Sequence, residues 1–205
     1  MRNSENSNTK IDLFFSTPIL FREDKEYAKS LLPIVENFLS DEKLTSNSYP
    51  WSHKTTYRNV KGGLKIFPEM REFEEYLCDV AKNFLSSLGY DLKKQMDAYI
   101  FASELRKGNY HNAHTHPNCI ISGVFYLKIP SNSSRIIFHD PRPFRKFIMI
   151  PYKEEVDKET PGLFVPEIFI QPHEGLLLMW ESWLEHEVEP NNSDDSRIAL
   201  IFNIS

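Results

Sequence analysis

The sequence predicts an α+β fold, mainly β, in which two helices precede a string of short strands that form a β-sandwich or open barrel. Three observations carry this. Helical periodicity is confined to the first ninety residues. Beyond them, short apolar runs recur between Pro, Gly, Asn and Asp. Fifteen Phe and nine Tyr in 205 residues suit strands better than helical bundles.

Residues 1–10 are polar and rich in Asn and Ser, and read as a disordered lead-in. A strand is expected over 11–21, interrupted by Pro18. Residues 24–39 place Tyr27, Leu31, Leu32, Val35, Phe38 and Leu39 at helical spacing, with Pro33 either kinking the helix or marking its first turn. The strongest helix is 68–88. Pro68 suits its start, acids crowd its first turns, Phe73, Tyr76, Leu77, Val80 and Phe84 form its apolar face, and Gly89 is a natural stop. Strands are expected over 96–105, 119–129, 135–138, 164–171, 175–180 and 197–204. The charged, Pro-containing stretch 141–161 reads as a long loop over one mouth of the barrel. No internal repeat is evident. A single domain over 11–205 is expected, with 11–94 as a helical support and 95–205 as the β core.

Bulk properties narrow the function classes. Net charge is −5 and no Lys/Arg block stands out, so nucleic acid is not an expected partner. The N-terminus has no apolar signal region, and the longest apolar runs are too short to span a bilayer. Two cysteines, Cys78 and Cys119, suit a reducing compartment as buried thiols. A soluble cytoplasmic protein is expected.

The chemistry-bearing residues are few. His111, His114 and His116 place three of the seven histidines within six residues. On an extended segment, residues two apart face the same way, so His114 and His116 are able to address one ion. His186 is positioned to supply a third ligand from elsewhere in the barrel, and three protein ligands on one face leave coordination positions open. The alternative is a polar loop that happens to hold histidines. Arg197 opens the apolar run 198–202, and a guanidinium there matches a buried carboxylate such as that of a dicarboxylate cosubstrate. A surface pair with Asp194 or Asp195 is the competing role.

These motifs resemble a known family. His114-Thr115-His116, the run Ser122-Gly123-Val124-Phe125-Tyr126-Leu127, and Ile137-Phe138-His139-Asp140-Pro141-Arg142 look like the iron(II)/2-oxoglutarate oxygenases related to prolyl 4-hydroxylase. The stretch from Gly175 to His186, with Arg197, is similar to that family's distal-histidine strand and its 2-oxoglutarate-binding basic residue. The resemblance covers about residues 95–205. It implies a double-stranded β-helix (jelly-roll, cupin-like) core flanked by N-terminal helices. The implied metal ligands are His114, His116 and His186. It further implies 2-oxoglutarate held by Arg197, with Ser122, Tyr110 or Tyr126 adding a hydroxyl and Asn118 or Asn203 reaching the metal-bound end.

One departure stands out. The family's proximal pair is His-x-Asp or His-x-Glu, and here the acid position reads His116. Asp140 is the alternative third ligand, with a turn-capping role as its competitor. Arg142 and Trp183 are candidate substrate contacts. The activity implied is hydroxylation of an unidentified substrate, a small molecule or a protein side chain, using dioxygen and releasing succinate and carbon dioxide. Two rival readings share the same residues: a three-histidine dioxygenase that does not use 2-oxoglutarate, and a non-catalytic metal-binding interaction module.

Overall fold

A computed structural model describes residues 15–48, 53–91, 95–142 and 165–205. The lead-in at 1–10 and nearly all of the 141–161 loop lie outside the described residues. Two antiparallel sheets face each other. The larger runs β1-β9-β6-β11-β4-β3-β2, and the smaller runs β5-β10-β7-β8. The strands are β1 (Ile19–Glu23), β2 (Ser46–Ser48), β3 (His53–Thr55), β4 (Ala98–Leu105), β5 (His111–His114) and β6 (Ile121–Lys128). They continue as β7 (Ile136–His139), β8 (Glu167–Ile170), β9 (Leu176–Glu181), β10 (His186–Val188) and β11 (Arg197–Ile204). Chain neighbours alternate between the sheets from β4 to β7 and again from β8 to β11, which is the jelly-roll arrangement expected from the sequence.

The alternation of side chains along each strand builds two cores. One face of the large sheet, with Ile100, Ala102, Phe125, Leu200 and Phe202, packs against the helices. The other face, with Val124, Tyr126, Leu178, Trp180 and Ala199, meets Ile136 and Phe138 of the small sheet. In β11 this division is complete. Ile198, Leu200, Phe202 and Ile204 join the helix-side core, while Arg197, Ala199, Ile201 and Asn203 line the space between the sheets.

The helices are α1 (Lys25–Ser40) and α2 (Arg71–Ser87). Asp24 caps α1 by accepting from the Tyr27 amide at 3.3 Å. Pro33 lies inside α1, not in its first turn. Its ring is on the exposed side, so the carbonyl that the missing N–H leaves unpaired is on the solvent face of the helix. Pro68 opens a single 3-10 turn, and α2 proper begins at Arg71.

The expected strands over 96–105, 119–129, 135–138, 164–171, 175–180 and 197–204 appear as β4, β6, β7, β8, β9 and β11. The first strand begins after Pro18, at Ile19, because proline cannot donate to the ladder with β9. Four strands carry no sequence signal of their own: β2, β3, β5 and β10. Each is three or four residues long, too short to show an alternating pattern. Those four position most of the functional site.

Candidate metal centre

Cross-strand pairing assembles the cluster. His186, the first residue of β10, lies directly opposite His114, the last residue of β5. His116 follows two residues on, its amide donating to the Ser182 carbonyl at 3.0 Å, so the β9–β10 turn anchors the segment that carries it. One ring nitrogen from each of His114, His116 and His186 lies within 4.8 Å of the other two. The His114 and His186 rings are 4.3 Å apart between centroids, and those of His116 and His186 are stacked at 5.2 Å.

The tautomers follow from the acceptors. Nδ1 of His186 faces the Leu184 carbonyl at 2.9 Å, and Nδ1 of His114 faces the Asn112 carbonyl at 2.7 Å. A carbonyl only accepts, so both Nδ1 atoms carry the proton and both Nε2 atoms present a bare lone pair. Burial keeps the rings neutral, holding His116 down to about 4 and His186 to about 3, and lowering His114 as well. Nε2 of His116 and Nε2 of His186 point at each other across 3.3 Å. His186 thus turns its lone pair toward His116 Nε2, a neutral imidazole nitrogen whose proton a cation is able to replace, and with the His114 nitrogen close by the residues present fit a bound metal ion.

Asp140 is not among the converging donors. Its carboxylate is 3% exposed and accepts from Arg142 Nε at 2.8 Å and Nη2 at 2.6 Å. The Arg142 amide also donates to it, at 3.0 Å, closing the turn after β7. Arg142 is correspondingly paired, and it does not line the cavity described next.

The histidines open on a cavity of about 350 Å³ between the sheets. Arg197 lies in it, fully buried. Nη1 donates to Ser134 Oγ at 2.7 Å, and the guanidinium sits 4.9 Å from the Tyr126 ring centroid. Nε has no hydrogen-bond partner, and no carboxylate meets the guanidinium among the described residues. Burial pulls its pKa down, but a guanidinium stays charged at neutral pH. A buried positive charge without an acid is an anion site by elementary electrostatics. Asp194, one of its expected surface partners, pairs with Lys107 instead.

The other expected cosubstrate contacts are distributed unevenly. Asn203 lines the cavity, but Ser122 does not. The Ser122 hydroxyl is hydrogen-bonded to Ser182 Oγ and Asn203 Oδ1, each at 2.8 Å, so it orients Asn203. Tyr126 lines the cavity with a buried, unpartnered hydroxyl, whereas Tyr110 is partly exposed outside it. Asn118 occupies a left-handed turn position, φ 65°, also outside. Trp183 is half exposed on the β9–β10 turn, and it is Trp180 that lines the cavity, edge-on to His186 at 4.7 Å.

One cavity histidine, His53, had no sequence signal as a site residue. His53 and His111 extend the imidazole cluster, their rings 5.7 Å apart, with His111 4.3 Å from His114. Both are held down to about 4, chiefly by burial. Ser134 is the second such kind of addition, found only through its bond to Arg197.

Fold and site together define a metal-binding double-stranded β-helix. Residues 100–203 match the family described as "Putative 2OG-Fe(II) oxygenase", and the chain belongs to that family. It is therefore an oxidoreductase whose cofactors are iron(II) and 2-oxoglutarate. No curated protein matches it significantly. Solved structures share its fold at low identity. A prolyl-4-hydroxylase from Pseudomonas putida is 12% identical, with TM-score 0.64 over 92% of each chain. HygX from Streptomyces hygroscopicus, solved with nickel and 2-oxoglutarate, is 11% identical, with TM-score 0.60 over 92% of this chain and 83% of its own. A prolyl hydroxylase from Trichoplax adhaerens, in complex with a hypoxia inducible factor peptide, is 16% identical, with TM-score 0.58 over 91% and 82%. Among the described residues, no helix is long and apolar enough to cross a membrane.

Proposed function

We propose that this chain is a cytoplasmic 2-oxoglutarate-dependent hydroxylase whose iron(II) is held by His114, His116 and His186, with no protein carboxylate in the set. The observation that carries it is the buried Arg197, which no acid meets among the described residues, in the same cavity as three converging neutral imidazoles. Iron(II), when bound, supplies the oxidising chemistry with dioxygen, as 2-oxoglutarate is converted to succinate and carbon dioxide and the substrate is hydroxylated.

The chain's residues do the rest. Arg197 receives the distal carboxylate of 2-oxoglutarate, with the Tyr126 hydroxyl beside it. Ser182 and Ser122 hold Asn203 at the cavity wall. Leu184 and Asn112 fix the His186 and His114 rings through their carbonyls, so neither ring must reorient when metal arrives. Trp180 and Phe138 seal the back of His186 against water. Three neutral ligands leave the full +2 charge of iron(II), where a carboxylate in the set would leave +1. That raises the attraction for an anionic cosubstrate.

The test is conversion of 2-oxoglutarate to succinate by iron(II)-loaded protein. Turnover is expected for the native chain and absent for His186→Ala. Iron-dependent oxygen uptake indifferent to 2-oxoglutarate and to Arg197→Gln favours the rival three-histidine dioxygenase. No oxygen uptake, with metal bound, favours a non-catalytic module.

A further inference from the structure

The cavity has a second polar wall, beside the imidazole cluster and not assigned a role so far. It is built by β2, β3 and the loop that follows. Ser46 and Thr55 are opposite one another across the β2–β3 pair, and His53 is two residues before Thr55, so all three side chains face the cavity. Thr55 is satisfied, its hydroxyl donating to the Ala102 carbonyl at 2.9 Å. The other two are not. Ser46 Oγ and His53 Nδ1 are buried and have no hydrogen-bond partner.

An orphaned buried polar atom is destabilising, and two on one wall call for a ligand or bound water that meets both. His53 is 5% exposed and remains neutral at physiological pH, so its ring offers one donor and one acceptor. Beside it the wall turns aromatic and then basic. Tyr57 and Phe101 pack with centroids 4.8 Å apart and both line the cavity. Arg58 lines it at the exposed rim, and no acid meets its guanidinium among the described residues.

We propose that this wall is the primary-substrate subsite and that it selects a small organic carboxylate. The carboxylate pairs with Arg58, the apolar body lies along Tyr57 and Phe101, and a polar group meets His53 and Ser46. The inference rests on the oxygenase reading, because that reading assigns the opposite wall, with Arg197, to 2-oxoglutarate. The two arginines thereby divide the cavity between two anions. A guanidinium at the rim meets a carboxylate through two parallel N–H donors. The confined volume, shared with 2-oxoglutarate, excludes a folded protein surface from entering beyond one side chain.

The experiment uses the full chain loaded with nickel(II), which does not turn over, and saturated with 2-oxoglutarate. Ligand-detected NMR then measures binding of L-phenylalanine, L-leucine, L-proline and phenylacetate, each beside its primary amide. At least one acid is expected to bind tenfold or more tightly than its amide. Arg58→Gln, at an exposed position that does not threaten folding, is expected to abolish that preference. His53→Phe is expected to weaken the acid and the amide alike. Affinity for 2-oxoglutarate, measured in the same samples, should stay within twofold in Arg58→Gln. Equal binding of acids and amides, a preference that survives Arg58→Gln, or no binding of any acid while 2-oxoglutarate binds would overturn the subsite and leave the oxygenase reading intact. In that event the orphaned atoms mark a water-lined wall only. Failure of 2-oxoglutarate itself to bind would remove both.

Discussion

Arg197 and the histidines carry opposite electrostatic problems, and each sets a prediction at the residue scale. Arg197 is a charge that burial disfavours and that no acid compensates among the described residues. Its replacement by Gln is expected to leave iron binding intact and to weaken 2-oxoglutarate by thirtyfold or more, since removing one member of a buried charge pair costs about 2 kcal/mol or more. Calorimetry with and without metal separates the two effects. A loss of metal together with 2-oxoglutarate would argue that Arg197 supports the fold instead. The histidines are bases held neutral. His53, His111 and His116 are held down to about 4 and His186 to about 3, against an ordinary value near 6.5. Between those values the unfolded chain binds more protons than the folded one, so stability falls as pH falls. The metal-free protein should therefore melt at a constant temperature above about pH 7 and progressively lower from pH 6.5 towards 4. A melting temperature that is flat across that window would show that the rings are solvated, not buried.

At the element scale, the short strands matter more than the long ones. β5 and β10 together contribute seven residues, yet their pairing sets His114 opposite His186. The long strands were legible, β4 from its alternation and β6 and β11 as apolar runs bounded by turn residues. The short ones were not, because tertiary pairing fixes them and local pattern does not. The same limit explains the site. The His-x-His pair, His186 and Arg197 could be picked out as residue types in sequence, but His53 could not, since nothing local marks a lone histidine on a three-residue strand as a cavity residue. Tyr110 and Asn118 illustrate the reverse error. The family resemblance made them candidates, but Tyr110, just before β5, is exposed and Asn118 sits in a left-handed turn after it, and neither lines the cavity. Packing between elements gives a sharp test at Gly123 in β6. A Cβ there would lie 2.2 Å from Phe202 Cζ and 2.5 Å from the Leu178 carbonyl oxygen. The backbone oxygen cannot rotate away, so Gly123→Ala is expected to destabilise by about 1–3 kcal/mol or more, read as a lowered melting temperature. An unchanged melting temperature would mean that β6 and β9 have room to separate.

For the whole molecule, the helices and the large sheet share one continuous core, with Phe73, Leu77 and Phe84 of α2 against Ile100, Phe125 and Phe202. We infer that the helical part, 11–94, and the β part, 95–205, unfold together in one transition, so that the β part alone would expose an apolar sheet face and fail to fold. Two separable calorimetric transitions would contradict this. Metal is expected to stabilise the folded molecule as any ligand of the native state does. At a hundredfold excess over its dissociation constant the gain is about 2.7 kcal/mol, or roughly 5–10 °C in a chain of this size. His186→Ala should lose that gain. The departure at His116 gives the proposed site its distinctive feature: three neutral imidazoles converging on a cavity with a buried positive charge at Arg197. The neighbouring acid is diverted, for Asp140 is held by Arg142.

The most direct measurement is a crystal structure of the iron(II)- and 2-oxoglutarate-bound protein prepared without oxygen. The account predicts iron on the imidazoles of His114, His116 and His186, no protein carboxylate among its ligands, and a 2-oxoglutarate carboxylate on Arg197. Asp140 released from Arg142 and bound to the iron in place of His116, or 2-oxoglutarate lying away from Arg197, would contradict it.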